Sequence, residues 1–155
     1  MSGSTSSTRV LAPCPGQVIP LADVPDPVFA EGMVGQGVGI EPTPEQTTVV
    51  APVAGRVVKI HPHAFVVLAA DGAGVLVHLG INTNRLEGVG FEVHAAEGDE
   101  VEVGTAMVSW DPSSITGEDR SAVVPVLVMD AKDATVTATE AGSVAAGDEL
   151  FVLHR

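Results

Sequence analysis

At 155 residues the chain has the length of one domain, enough to bury a single core without disulfide or metal staples. Seven Lys and Arg against twenty Asp and Glu give a formal charge of −13, which excludes a basic surface able to neutralise nucleic-acid or anionic-lipid phosphates. With 45% hydrophobic and 17% charged residues the chain is globular, and seventeen glycines, eleven prolines and 3% aromatics favour short strands and tight turns, an all-β class.

Residues 1–9, MSGSTSSTR, offer nothing to bury and are expected as a disordered tail before a domain at residues 10–155. The tail lacks the apolar centre of a secretion signal, and no later run approaches about 18 apolar residues. Cys14 is the only cysteine, which rules out an intrachain disulfide, suits a reducing compartment and leaves it a packing role. A cytoplasmic protein is expected.

Two segments echo each other at an offset of 39: Ala12, Pro13, Gly16, Val18 and Ile19 match Ala51, Pro52, Gly55, Val57 and Val58. Each reads as a turn opening a strand. A short helical turn is expected from Pro27 to Met33. Next comes a predicted hairpin with apolar runs Phe65 to Ala70 and Val75 to Ile81 joined by a turn at Asp71 to Gly74. A second echo, at an offset of 43, pairs Glu97, Val101, Gly104, Met107 and Val108 with Glu140, Val144, Gly147, Leu150 and Phe151, each time strand, glycine turn, strand. Between its two copies, Asp111 as N-cap and Pro112 at the first position predict a helical turn from Pro112 to Asp119. Together these features predict an antiparallel β-sandwich or flattened barrel with short helical turns and an internal duplication.

Three of the five histidines, His61, His63 and His78, sit in or beside the most apolar hairpin. On a strand His78 shares a face with Leu76 and Gly80, while Val75, Val77 and Leu79 point the other way, and His63 shares a face with Phe65. A hairpin centred near residues 72 and 73 predicts His78 opposite Val67 and His63 opposite Asn82. That spacing permits the two imidazoles to converge without requiring it. A lone histidine here reads as a core residue satisfied by backbone carbonyls. Two on apolar strands point towards function, because burying both is unfavourable unless each finds partners.

The segments HAF, VHLGINT, EGVGF and EGDEVEVG resemble the enzyme IIA domain of the glucose family of the bacterial sugar phosphotransferase system. The resemblance extends over APCPGQV, DVPDPVFAEGMVGQGVGIEP, APVAGRVVKI and AGSVAAGDELFVL in the family's order. It implies a phosphotransferase component that acts as a phosphocarrier. His78 would be phosphorylated on Nε2 and His63 would lie against it, in a shallow apolar depression of a β-sandwich. The phosphoryl donor would be HPr and the acceptor an enzyme IIB domain of a glucose or N-acetylglucosamine-type permease, with the phosphoryl group bound covalently and no other cofactor. Nε2 attacks only if Nδ1 carries the proton, and Gly80 occupies the family position whose carbonyl would accept it. Val28, Phe29, Met33, Val34 and Leu79 match the family's docking patch, or are ordinary core.

Two departures from the enterobacterial pattern touch this site. In KIHPHAF the loop is two residues shorter, and His61 stands where those members have a threonine that bonds the supporting histidine. Asn82 replaces an aspartate. His61 either takes over the supporting bond or is simply exposed.

Two other classes compete. A zinc peptidase of the LytM type would use His61 and His63 as an HxH pair with His78 as third ligand, but the chain lacks that family's second histidine motif. No resident metal is expected, and zinc on His63 and His78 would be adventitious. A biotinyl or lipoyl carrier needs a lysine at a tight turn, for which only Lys59 and Lys132 are present.

Overall fold

The computed structural model describes residues 7–86, 88–115, 120–129 and 134–154. Valine-rich stretches become strands wherever apolar residues alternate, and glycines or prolines end them. In chain order the first seven strands are β1 (Ser7–Leu11), β2 (Gly16–Pro20), β3 (Gly35–Pro42), β4 (Thr47–Val50), β5 (Gly55–His61), β6 (Ala64–Ala69) and β7 (Gly74–His78). They are followed by β8 (Glu92–Val93), β9 (Glu100–Val101), β10 (Ala106–Trp110), β11 (Val124–Met129), β12 (Thr135–Ala138), β13 (Ser143–Val144) and β14 (Glu149–His154).

Among the described residues these form three antiparallel sheets. One is a long, curled sheet of order β13-β2-β3-β11-β7-β6-β5-β9; the two small ones have orders β1-β14-β12 and β4-β10-β8. A single core joins them: Val10 and Phe151 from one small sheet, Val49 and Val108 from the other, and Val57, Phe65, Val77 and Val126 from the long sheet are all fully buried. The predicted β-sandwich is therefore the fold, and none of the described helices is long and apolar enough to cross a membrane.

The two sequence echoes are structural equivalents. Ala12 bonds Asp148 O and Gly147 N, while Ala51 bonds Thr105 O and Gly104 N. Gly16 pairs with Val144 as Gly55 pairs with Val101, and Val10 pairs with Phe151 as Val49 pairs with Val108. Even the turns repeat: Asp148 accepts from Ala145 N as Thr105 accepts from Glu102 N. The long sheet is thus symmetric about the β11–β7 boundary.

Several expectations need correction. Ser7 to Arg9, read as disordered tail, belong to β1 and pair with Val152 to His154; residues 1–6 lie outside the described residues. The polar strand holds because Thr8 is buried and its hydroxyl donates to Asp71 Oδ2 at 2.6 Å. The helical turn after Asp111 spans only Pro112–Ser114, since Ile115 is already extended, and residues 116–119 lie outside the described part. The earlier one, α1, is Pro27–Ala30, with Asp26 accepting from Val28 N as N-cap.

Hairpin register also differs. His78 pairs with Ala64, not Val67. The turn closes around Asp71, whose carboxylate accepts from Ala73 N, while Gly72 takes the left-handed conformation at φ 93°. His63 is not on a strand: Pro62 and His63 form the two-residue connection between β5 and β6, so His63 does not share the Phe65 face. A fixed φ suits Pro62 to a turn corner. Instead of facing Asn82, His63 accepts through its carbonyl from Leu79 N at 2.7 Å.

Asp71 therefore ties the amino-terminal strand to the hairpin that carries His78. Asp71→Ala should leave the buried Thr8 hydroxyl and Ala73 N–H without this acceptor and lower stability by about 1–2 kcal/mol. Urea unfolding measures this, and an unchanged midpoint would contradict it.

Candidate functional site

Directly paired residues on adjacent strands project to the same face. His61 pairs with Ala64, and Ala64 pairs with His78, so the two histidines flank one small residue on the outer face of the long sheet. His63, in the turn that joins β5 to β6, folds between them. Its ring centroid lies 5.4 Å from that of His78, edge to face at 69°, and 5.6 Å from that of His61, nearly parallel at 18°. The pairing brings together three histidines that spacing alone left apart.

The backbone turns sharply just after His78. Gly80 has φ 87°, and a Cβ there would come within 2.6 Å of Thr83 Cγ2 and 2.7 Å of Ser121 O. Only glycine fits both restrictions. The turn is held by Ile81, which bridges to Ser121, and by the buried Thr83 hydroxyl, which donates to Leu79 O at 2.6 Å. Its result is that Gly80 O lies 2.5 Å from His78 Nδ1. A carbonyl can only accept, so Nδ1 carries the proton and Nε2 keeps its lone pair. Asn82 follows, half-buried, in the left-handed conformation at φ 61°, which asparagine tolerates better than most residues.

On the other side α1 leans over the site. Val24, Ile81 and Val123 form a second small core, against which Ile19, Leu21 and Phe29 pack. Val24 and Ile19 fill the space over Gly39 where a side chain would otherwise stand. Phe29 reaches His78 with its ring centroid 5.3 Å away.

Of the expected docking residues, Val28 is 46% and Met33 67% exposed, while Phe29 and Val34 are half-buried. Leu79 is a correction: it is wholly buried in the main core with Val75 and Val77, because alternation turns it away from the His78 face. Leu76 and Val66, paired with each other, occupy that face instead beside the His78–Ala64 pair. Leu76 was expected on the His78 face from alternation, whereas Val66 was missed because placing it needs the hairpin register. Val89, 76% exposed, follows Gly88, where a Cβ would come within 3.2 Å of Pro62 Cγ. Asp26 was missed too: its carboxylate is close enough to bear on His78 electrostatically. Its N-cap signature before Pro27 was legible, but not its closeness to the histidine.

The remaining histidines belong elsewhere. His94 Nε2 lies 2.7 Å from Ser109 Oγ, which also meets Thr48 Oγ1 at 2.8 Å, and His154 meets Thr137. Among the described residues no group of three His, Cys, Asp or Glu is arranged to hold a metal ion, His61, His63 and His78 included. Lys59 lies within β5, and Lys132 lies outside the described residues. Cys14 is fully buried and its thiol is pushed up to about 12 by that burial, which suits a packing role.

Electrostatics favour neutral rings. Burial lowers the His78 pKa below 6.5, against the opposing pulls of the Gly80 carbonyl and Asp26; burial, then His78, then His61 lower that of His63. At neutral pH His78 is therefore an uncharged imidazole whose Nε2 carries no proton, packed near Phe29 and flanked by a second imidazole able to donate. That is a nucleophile beside a hydrogen-bond donor.

A lowered histidine pKa means that the unfolded chain takes up protons that the folded chain resists. This contribution is complete above about pH 6.5 and is lost as pH falls towards the depressed folded values. Between about pH 7.5 and 5.5, wild type should lose more stability in urea unfolding than His78→Gln; equal losses would contradict the assignment.

Comparisons with known proteins place the chain in a family. Residues 8–134 match the family model described as the phosphoenolpyruvate-dependent sugar phosphotransferase system, EIIA 1. A glucose-specific EIIA component of Oceanobacillus iheyensis is 39% identical over 141 residues, covering 86% of this chain and 84% of its own. One from Staphylococcus aureus is 40% identical over 127 residues, covering 81% and 75%. The solved glucose permease IIA of Mycoplasma capricolum superposes with a TM-score of 0.86 at 33% identity, over 98% of this chain and 99% of that one. The chain therefore belongs to the EIIA 1 family of the phosphoenolpyruvate-dependent sugar phosphotransferase system and is a phosphotransfer component of it.

Proposed function

We propose that His78 is the phosphoryl carrier, taking the group from the phosphohistidine of HPr and passing it to an enzyme IIB domain during sugar uptake. The observation that carries this reading is the contact between His78 Nδ1 and Gly80 O, which leaves Nε2 unprotonated. The Nε2 lone pair forms the new N–P bond as the donor's N–P bond breaks, and the electrons of that bond return to the donor imidazole. The Nδ1 proton stays where it is, its bond to Gly80 O strengthening as the ring gains positive character. Transfer to enzyme IIB runs the same step outward.

His63 donates an N–H to the phosphoryl oxygens. In a patch walled by Phe29, Leu76 and Val66 such a bond is worth more than in water. Partner docking over Val28, Met33 and Val89 excludes water and slows hydrolysis of the phosphohistidine. The relatives' glucose-specific names support a glucose-type permease as the destination, and the reaction belongs to the cytoplasm, where phosphoenolpyruvate is available. No metal or organic cofactor has a step in it.

Incubation with phosphoenolpyruvate, enzyme I and HPr should add about 80 Da as an acid-labile, base-stable phosphoryl group. His78→Ala should abolish the label. His63→Ala should keep the fold but slow transfer roughly a hundredfold, as loss of one preorganised donor does. A label that survives in His78→Ala would overturn the proposal.

A further inference from the structure

The chemistry proposed for His63 needs its ring at one angle, with an N–H directed at the space beyond His78 Nε2. Among the described residues no hydrogen bond holds either nitrogen of that ring. Its backbone is fixed, by the carbonyl that accepts from Leu79 N and by Pro62, but two side-chain torsions remain. What restrains them is packing. One side of the ring meets His78 edge to face, and the other lies flat on His61 at 5.6 Å and 18°.

His61 is the last residue of β5 and is exposed. A polar residue there would suffice for solubility, so its aromatic face has no structural need behind it. Its register does have a consequence. Pairing with Ala64 sets His61 on the face of His78, with only a methyl group between the two strands' larger side chains. The gap over Ala64 is filled by His63, held like a page between two covers. Removing the His61 ring opens one side of that slot to solvent while leaving the core untouched.

We propose that His61 is a positioning residue for phosphoryl transfer, acting by stacking on His63 and thereby holding the His63 N–H toward the phosphoryl group on His78. The role belongs to the ring face and not to its nitrogens. It rests on the carrier reading of His78, and it assigns to a stacking contact the restraint that a side-chain hydrogen bond would otherwise supply.

The test compares His61→Ala with His61→Phe, which keeps a flat ring and removes both nitrogens. In single-turnover transfer from phosphorylated HPr, His61→Ala should slow the step roughly tenfold at saturating donor, less than the hundredfold that a full ångström of misplacement brings. The donor concentration for half-saturation should not move. His61→Phe should restore the wild-type rate. Ring relaxation of 13C-labelled His63 in the unphosphorylated protein should show a freer ring in His61→Ala and a wild-type ring in His61→Phe. Transfer at the wild-type rate by His61→Ala, a His61→Phe as slow as His61→Ala, or an unchanged His63 ring in His61→Ala would each overturn the proposal. The relaxation measurement remains decisive for His61 even if wild-type protein takes no phosphoryl group, a result that would overturn the carrier reading instead.

Discussion

The contact between His78 Nδ1 and the Gly80 carbonyl is the constraint on which the site depends. An imidazole free in solution exchanges between two neutral tautomers, only one of which presents a nucleophilic Nε2. A fixed carbonyl removes the choice. Fixing that carbonyl requires the chain to reverse within two residues of a buried strand, which only a glycine at φ 87° allows here, and requires the turn to be pinned from outside by Ser121 and Thr83. The sheet supplies the rest: Val75, Val77 and Leu79 anchor the strand in the core, so the alternate residues Leu76 and His78 must face outward.

The duplicated framework explains where chemistry can sit. In the symmetric halves of the long sheet, the Ala64–His78 pair on β6 and β7 corresponds to the Gly37–Leu127 pair on β3 and β11. Leu127 is wholly buried, and a side chain at Gly37 would collide with it. The same architecture thus carries an outward histidine over a small residue in one half, and a leucine folded down over a glycine in the other. The second half closes the surface that the first half leaves open.

Much of this was legible in the chain. The two echoes, at offsets of 39 and 43, have their counterpart in matching backbone bonds at Ala12 and Ala51, because each echo keeps the glycine that its turn needs. Alternation around His78 correctly separated Leu76 from Val75 and Val77. Register could not be read, since one carboxylate at Asp71 and one left-handed glycine at Gly72 shift the hairpin turn, and with it the partner of His78. For the same reason His63 was placed on a strand, although Pro62 already marked a corner. The polar strand at Ser7 to Arg9 was invisible because its stability comes from a distant partner, β14, and from Asp71, not from its own residues. Leu79 was assigned to a docking patch by likeness, against the alternation that buries it.

The most direct measurement is the tautomer of His78 in the unphosphorylated protein, read from long-range 15N–1H correlations of its ring at about pH 8, well above the ordinary histidine pKa. A protonated Nδ1 and a bare Nε2 are the predicted result. A ring carrying its proton on Nε2 would contradict the carrier role of His78, because the Gly80 carbonyl would then be choosing nothing and the nitrogen facing the partner surface would have no lone pair to offer.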